Sequence, residues 1–107
     1  MQDNFLGFLG LIRKGGGIIA GDEAVTLAVQ QGKGQLLLIA EDSAKRLQDR
    51  MASLAETCSV PKRILPYTKE QLGTALGKAP CGVLCIADWK VASAVLKKID
   101  ALASKAK

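Results

Sequence analysis

Two short runs, LLLIA within QLLLIA (35–40) and VLCIA within GVLCIA (82–87), are apolar at every position. Successive side chains of a strand point to opposite faces, so a run with no polar alternation reads as a central strand covered on both sides. Two such strands call for a layer of structure above the sheet and another below it. The intervening segments supply those layers. Residues 3–13, DNFLGFLGLIR, set Phe5, Leu6, Phe8, Leu9 and Ile12 at helical spacing, with Asp3 or Asn4 as the cap and Gly15–Gly17 as the stop. Ile18–Ala20 forms a short strand. A second helix runs from about Asp22 to Gln31 with Val25, Ala28 and Val29 inward, and Gly32 ends it. Ser43 is expected to cap a helix from about Ala44 to Thr57. KRILPY (62–67) reads as a strand that Pro66 ends or confines to an edge. Thr68 and Gln71 make a capping box for a helix through about Leu76, closed by Gly77. From Asp88 a last helix, to about residue 104, places Val91, Val95, Ile99 and Leu102 on one stripe.

Strict alternation of helix and strand implies a mostly parallel sheet with helices on both faces. The expected fold is therefore α/β, a three-layer α/β/α sandwich around a mostly parallel or mixed four-stranded sheet. The 107 residues suffice for one domain spanning 1–107, and no repeat or linker divides them. No apolar run approaches the roughly 20 residues of a membrane span. The opening residues lack a charged-then-apolar leader, and a cytoplasmic protein without a membrane partner is expected.

The chain has no histidine, which removes the usual general base of Ser-His and Cys-His nucleophiles and half the common zinc ligands. Its three cysteines, Cys58, Cys81 and Cys85, form no Cys-x-x-Cys pair and read as packing residues. No cofactor, metal site or enzymatic activity is expected. The net charge of +5 is uneven: residues 1–88 hold ten Lys and Arg against nine Asp and Glu, whereas 89–107 hold five Lys against one Asp. Lys90, Lys97, Lys98 and Lys105 fall largely opposite the apolar stripe of the last helix, as a solvated face.

Two glycine motifs fail on context. Gly15-x-Gly17-x-x-Ala20 has the spacing of a dinucleotide fingerprint but follows a helix and precedes a strand, the reverse of what that site needs. GTALGKA (73–79) is one residue short of a phosphate-binding loop, has no Ser or Thr after Lys78 and ends a helix instead of opening one. Asp22 and Glu23, in a first helical turn, complement the helix dipole. Trp89 is expected to pack or lie half-exposed and not to serve as a base-stacking platform.

Taken together, RKGGGIIAGDEAVTLAVQQGKGQLLLIAEDS and YTKEQLGTALGKAPCGVLCIAD resemble the kink-turn RNA-binding ribosomal protein family (the L-seven-Ae/L-thirty-e type), and within it the small bacterial YlxQ-type branch. The most specific matches are Lys14 before the glycines, Gly21, LLLIAED (36–42) and QLGTALGK (71–78). The resemblance implies a non-catalytic protein that binds structured, kink-turn-like RNA, ribosomal or otherwise non-coding, as a monomer associated with the ribosome. It places the RNA-binding residues at Lys14, Gly21, Asp22, Glu23, Lys33, Lys78, Ala79, Pro80 and Cys81. Gly21 would let the backbone approach RNA, and Lys78–Cys81 would cover an extruded nucleotide with apolar atoms. Lys14 and Lys33 would meet phosphate, while Glu23 would accept hydrogen bonds from a guanine edge. Ala24 and Leu27 depart from the family's Glu and Lys. The alternative is a protein-interaction module on the same fold with a degenerate RNA face.

Overall fold

The computed structural model describes residues 4–105, with side chains to residue 102. Its elements are α1 (Asn4–Lys14), β1 (Ile18–Ala20), α2 (Asp22–Gln30), β2 (Leu36–Ala40), α3 (Lys45–Cys58), β3 (Lys62–Leu65), α4 (Lys69–Ala75), β4 (Val83–Ile86) and α5 (Trp89–Lys105). All nine lie where the sequence pattern put them, within two residues at each described end. Asp3, the other cap suggested for α1, lies outside the described residues.

The four strands form one sheet in the order β1-β4-β2-β3, so the most apolar strands are central. Leu37, Ile39, Val83 and Ile86 are all buried, as their runs predicted. Alternation along β2 divides the core in two. Leu36, Leu38 and Ala40 pack toward α1, α4 and α5, with Phe5, Leu9, Leu72 and Val95. Leu37 and Ile39 pack the other way, against Val25 and Val29 of α2 and Met51 and Ala55 of α3. The result is the three-layer sandwich. On the first face Phe5 and Tyr67 stack with ring centroids 5.6 Å apart.

The sheet is mixed, with less parallel pairing than helix–strand alternation suggests. β2 and β3 are parallel, whereas β4 runs antiparallel to both its neighbours, β1 and β2. The cause is α4, only seven residues long, after which the chain doubles back. Cys81 N donates to Lys69 O at 3.0 Å, returning the chain to the edge that β3 has just left. β4 therefore enters the sheet from that edge and runs against β2. The connection is long enough for a parallel crossover, but its residues after α4 fold back over that helix to the starting edge instead of crossing to the other.

Local capping follows the sequence in two places and departs from it in one. Thr68 and Gln71 form the reciprocal capping box at α4. Asp88 Oδ1 accepts from Lys90 N at 2.8 Å at the start of α5. Ser43 does not cap α3; Ala44 holds that position without a side-chain bond. The Ser43 hydroxyl is buried and donates to Gly82 O at 2.8 Å, tying the β2–α3 turn to β4.

Candidate nucleic-acid interface

β1, β2 and β3 end, and β4 begins, at one edge of the sheet, so the loops after the first three and before the fourth meet there. Gly21 turns the chain from β1 into α2 with φ at 100°, in the region that favours glycine. Its N–H donates to Val83 O at 3.0 Å, and a Cβ at this position would meet nothing within 4 Å. The glycine is required by conformation and leaves open space above the backbone. α2 follows without a side-chain cap, and Asp22 and Glu23 stand in its first turn.

The two carboxylates differ. Asp22 pairs with Arg50 of α3, and its backbone carbonyl accepts from Thr26 Oγ1 at 2.8 Å. Glu23 is exposed and, among the described residues, has no hydrogen-bond or ion-pair partner. Asp22 thus fastens α2 to α3, while Glu23 presents an acceptor to solvent at the positive end of a helix dipole.

The opposite wall is the Lys78–Cys81 loop, which lies over α4. Gly73 makes that possible: a Cβ there would fall 2.8 Å from the Ala79 carbonyl carbon and 2.9 Å from Pro80 Cα. Cys81 is buried at the loop's end, its thiol donating to Val83 O at 3.2 Å. Burial pushes the Cys81 thiol above its ordinary value, against weaker lowering by the backbone of Val83 and Gly21 and by the Lys78 charge. It stays protonated at neutral pH, the less reactive form of a thiol. The two walls enclose a cleft of about 540 Å³, bordered by Gly21, Asp22, Leu47 and the Lys78–Cys81 loop.

The structure therefore gathers Gly21, Asp22, Lys78, Ala79, Pro80 and Cys81 around one cleft, with Glu23 on the adjoining helical turn. Two expected members stand apart. Lys14 ends α1 and lines a separate depression with Gly77 and Leu76. Lys33 follows the far end of α2, where its N–H donates to Ala28 O at 2.8 Å, a helix length from Gly21. Arg50 and Gly73 were not singled out from sequence for the parts they play. A glycine inside a helical pattern is itself a signal of close packing. Arg50 gives none, being 28 residues from its partner. Trp89 is neither packed nor half-covered: it is 67% exposed at the opposite edge of the sheet.

Among the described residues no helix is long and apolar enough to cross a membrane, and no group of three or more Cys, Asp or Glu is placed to hold a metal ion.

A short-stranded mixed sheet between helical layers, with a glycine-opened cleft at one edge, defines the class: small α/β/α sandwiches with a recess between the loops at one sheet edge. Residues 3–96 match the ribosomal protein L7Ae/L30e/S12e/Gadd45 family, and the chain belongs to it. A protein of unknown function from Bacillus halodurans has the same fold, with a TM-score of 0.86 at 23% identity over 92% of this chain and 99% of that one. A 15.5kD RNA binding protein of Giardia lamblia superposes with a TM-score of 0.74 at 22% identity, covering 95% and 92% of the two chains.

Proposed function

We propose that this protein binds structured RNA through the Gly21 cleft and catalyses no reaction. The observation that carries the reading is the meeting of Gly21, the α2 first turn and the Lys78–Cys81 loop around one recess. Family membership and the likeness to an RNA binding protein support it. In this reading the recess takes a base turned out of its helix, covered by Ala79 and Pro80. Glu23 accepts from a guanine N1–H and N2–H₂, and Lys78 draws phosphate. A kink-turn-like RNA, ribosomal or non-coding, offers such bases, and we place the protein on it as a cytoplasmic, monomeric, single-domain component associated with the ribosome.

A second reading is favoured by two observations. Asp22 is already engaged by Arg50, and Leu27 is 56% exposed where a cation would serve RNA better. On that reading the recess edge docks a protein. One experiment separates them: titration of a kink-turn RNA and of a duplex with the kink removed, using wild type, Glu23→Ala and Leu27→Lys. RNA recognition predicts that Glu23→Ala loses roughly 1–3 kcal/mol and its preference for the kinked RNA, and that Leu27→Lys tightens binding. Equal affinity of all three proteins for both RNAs supports the protein-docking reading.

A further inference from the structure

The sheet edge opposite the Gly21 cleft holds a second depression, of about 500 Å³, lined by Gly15–Gly17, Gln35, Asp88, Trp89 and Lys90. Its floor is fixed by the strand ends: Ala87 N donates to Gly17 O at 3.0 Å and Gln35 N to Ile86 O at 2.7 Å. The segments that meet there, 13–17, 33–35 and 87–90, carry Arg13, Lys14, Lys33 and Lys90 against one carboxylate, Asp88. That carboxylate is occupied, accepting from the backbone N–H of Lys90 at 2.8 Å and of Val91 at 3.4 Å. An anion would therefore be drawn by lysine and arginine side chains and not by the helix end.

Trp89, expected from the sequence to be no stacking platform, gives this basic edge its chemical character because the fold leaves its ring exposed. It is the chain's one tryptophan, and it leaves an indole 67% exposed, with Lys90 Nζ 5.9 Å from the ring centroid. Nothing in the core requires it, since Ala92, Val95 and Ile99 carry the inward face of α5. An exposed indole beside cations, next to a wall of glycines without side chains, suits a flat ring that bears phosphates. Every base has a π-face, so stacking of this kind is tolerant of sequence. We propose that this edge binds an unpaired nucleotide of a single-stranded RNA segment, its base stacked on Trp89 and its flanking phosphates drawn by Lys90 at the depression and by Lys33 on the adjoining 33–35 segment. The site is separate from the Gly21 cleft and does not depend on that cleft's role.

Trp89 is its own reporter. Titration of the 107-residue chain with an unstructured oligouridylate of about twelve nucleotides should quench tryptophan fluorescence saturably. Glu23→Ala should quench identically, which keeps this result independent of the cleft. By anisotropy of a labelled oligonucleotide, Trp89→Leu should bind about tenfold more weakly and Trp89→Phe nearly as well as wild type. Lys33→Gln with Lys90→Gln should make the salt dependence shallower by about one to one and a half. Absence of quenching, or full affinity in Trp89→Leu with an unchanged circular dichroism spectrum, would overturn the proposal. Uridine monophosphate quenching at the same concentrations as the oligonucleotide would also overturn it, assigning the depression to a free nucleotide.

Discussion

Cys81 and Cys85 show how little residue type alone says about chemistry. Both are buried, Cys85 within β4 and Cys81 just before it, and burial raises both thiols above their ordinary value. Burial lifts the Cys85 thiol from 9.0 up to about 11. The unfolded chain loses that proton near the ordinary value, so between about pH 9 and 11 the folded state binds more protons than the unfolded state. Stability must fall as pH rises through that window, and is unaffected by this group below it. Cys85→Ala removes the titration while opening a small cavity. Urea unfolding from pH 8 to about 11 should show the variant less stable at pH 8 but with a flatter decline than wild type. Parallel curves would mean that the thiol is not held protonated. Asp22 and Glu23 make a related point: adjacent carboxylates of one motif are divided by structure, one tied to Arg50 and one left to solvent. Their shared benefit from the helix dipole was legible in sequence, but the division was not, because Arg50 belongs to another helix.

At the scale of elements, legibility tracked whether a signal was local. β2 and β4 were evident because a strand buried on both faces has no polar residue to offer. The α4 capping box is contained in four residues, Thr68–Gln71, and was read correctly. Ser43 was misread because its partner, Gly82 O, lies 39 residues away, and a serine before a helix has the same appearance whether or not it caps. The direction of β4 depended on the chain folding back over α4, a close approach of residues 79–80 that Gly73 leaves room for. Gly73→Ala tests that. In an exposed helix the change gains up to about 1 kcal/mol. Here the added Cβ meets the backbone of Ala79 and Pro80, which cannot rotate away as a side chain can. The expected net result is a loss of roughly 1–3 kcal/mol in chemical denaturation, with weaker binding of kinked RNA as the Lys78–Cys81 loop is displaced. A stabilised variant with unchanged binding would show that the loop does not depend on this approach.

For the molecule as a whole, net charge is a poor guide to where RNA would sit. The Gly21 recess has one carboxylate, Asp22, at its rim and another, Glu23, on the adjoining turn, while most of the excess positive charge lies beyond residue 88. On α5 the charge faces away from the core. Lys97 and Lys98 are exposed, and Lys98 Nζ lies 5.0 Å from the centroid of the Phe8 ring on α1, so part of this helix's cationic surface serves packing between α5 and α1 within one layer. The Lys105 side chain and Lys107 lie outside the described residues. Neither Lys97 nor Lys98 borders the Gly21 cleft or the Trp89 depression. Each lysine that neutralises a phosphate steepens the dependence of log affinity on log salt by nearly one on duplex-like RNA. Lys97→Gln with Lys98→Gln should therefore leave that slope for a kink-turn RNA unchanged, while costing a few tenths of a kcal/mol of stability through the lost Phe8 contact. Measured across about 50–200 mM salt, a slope shallower by one or more would show that RNA lies along α5 as well, and that the face read here as solvated is part of the binding surface.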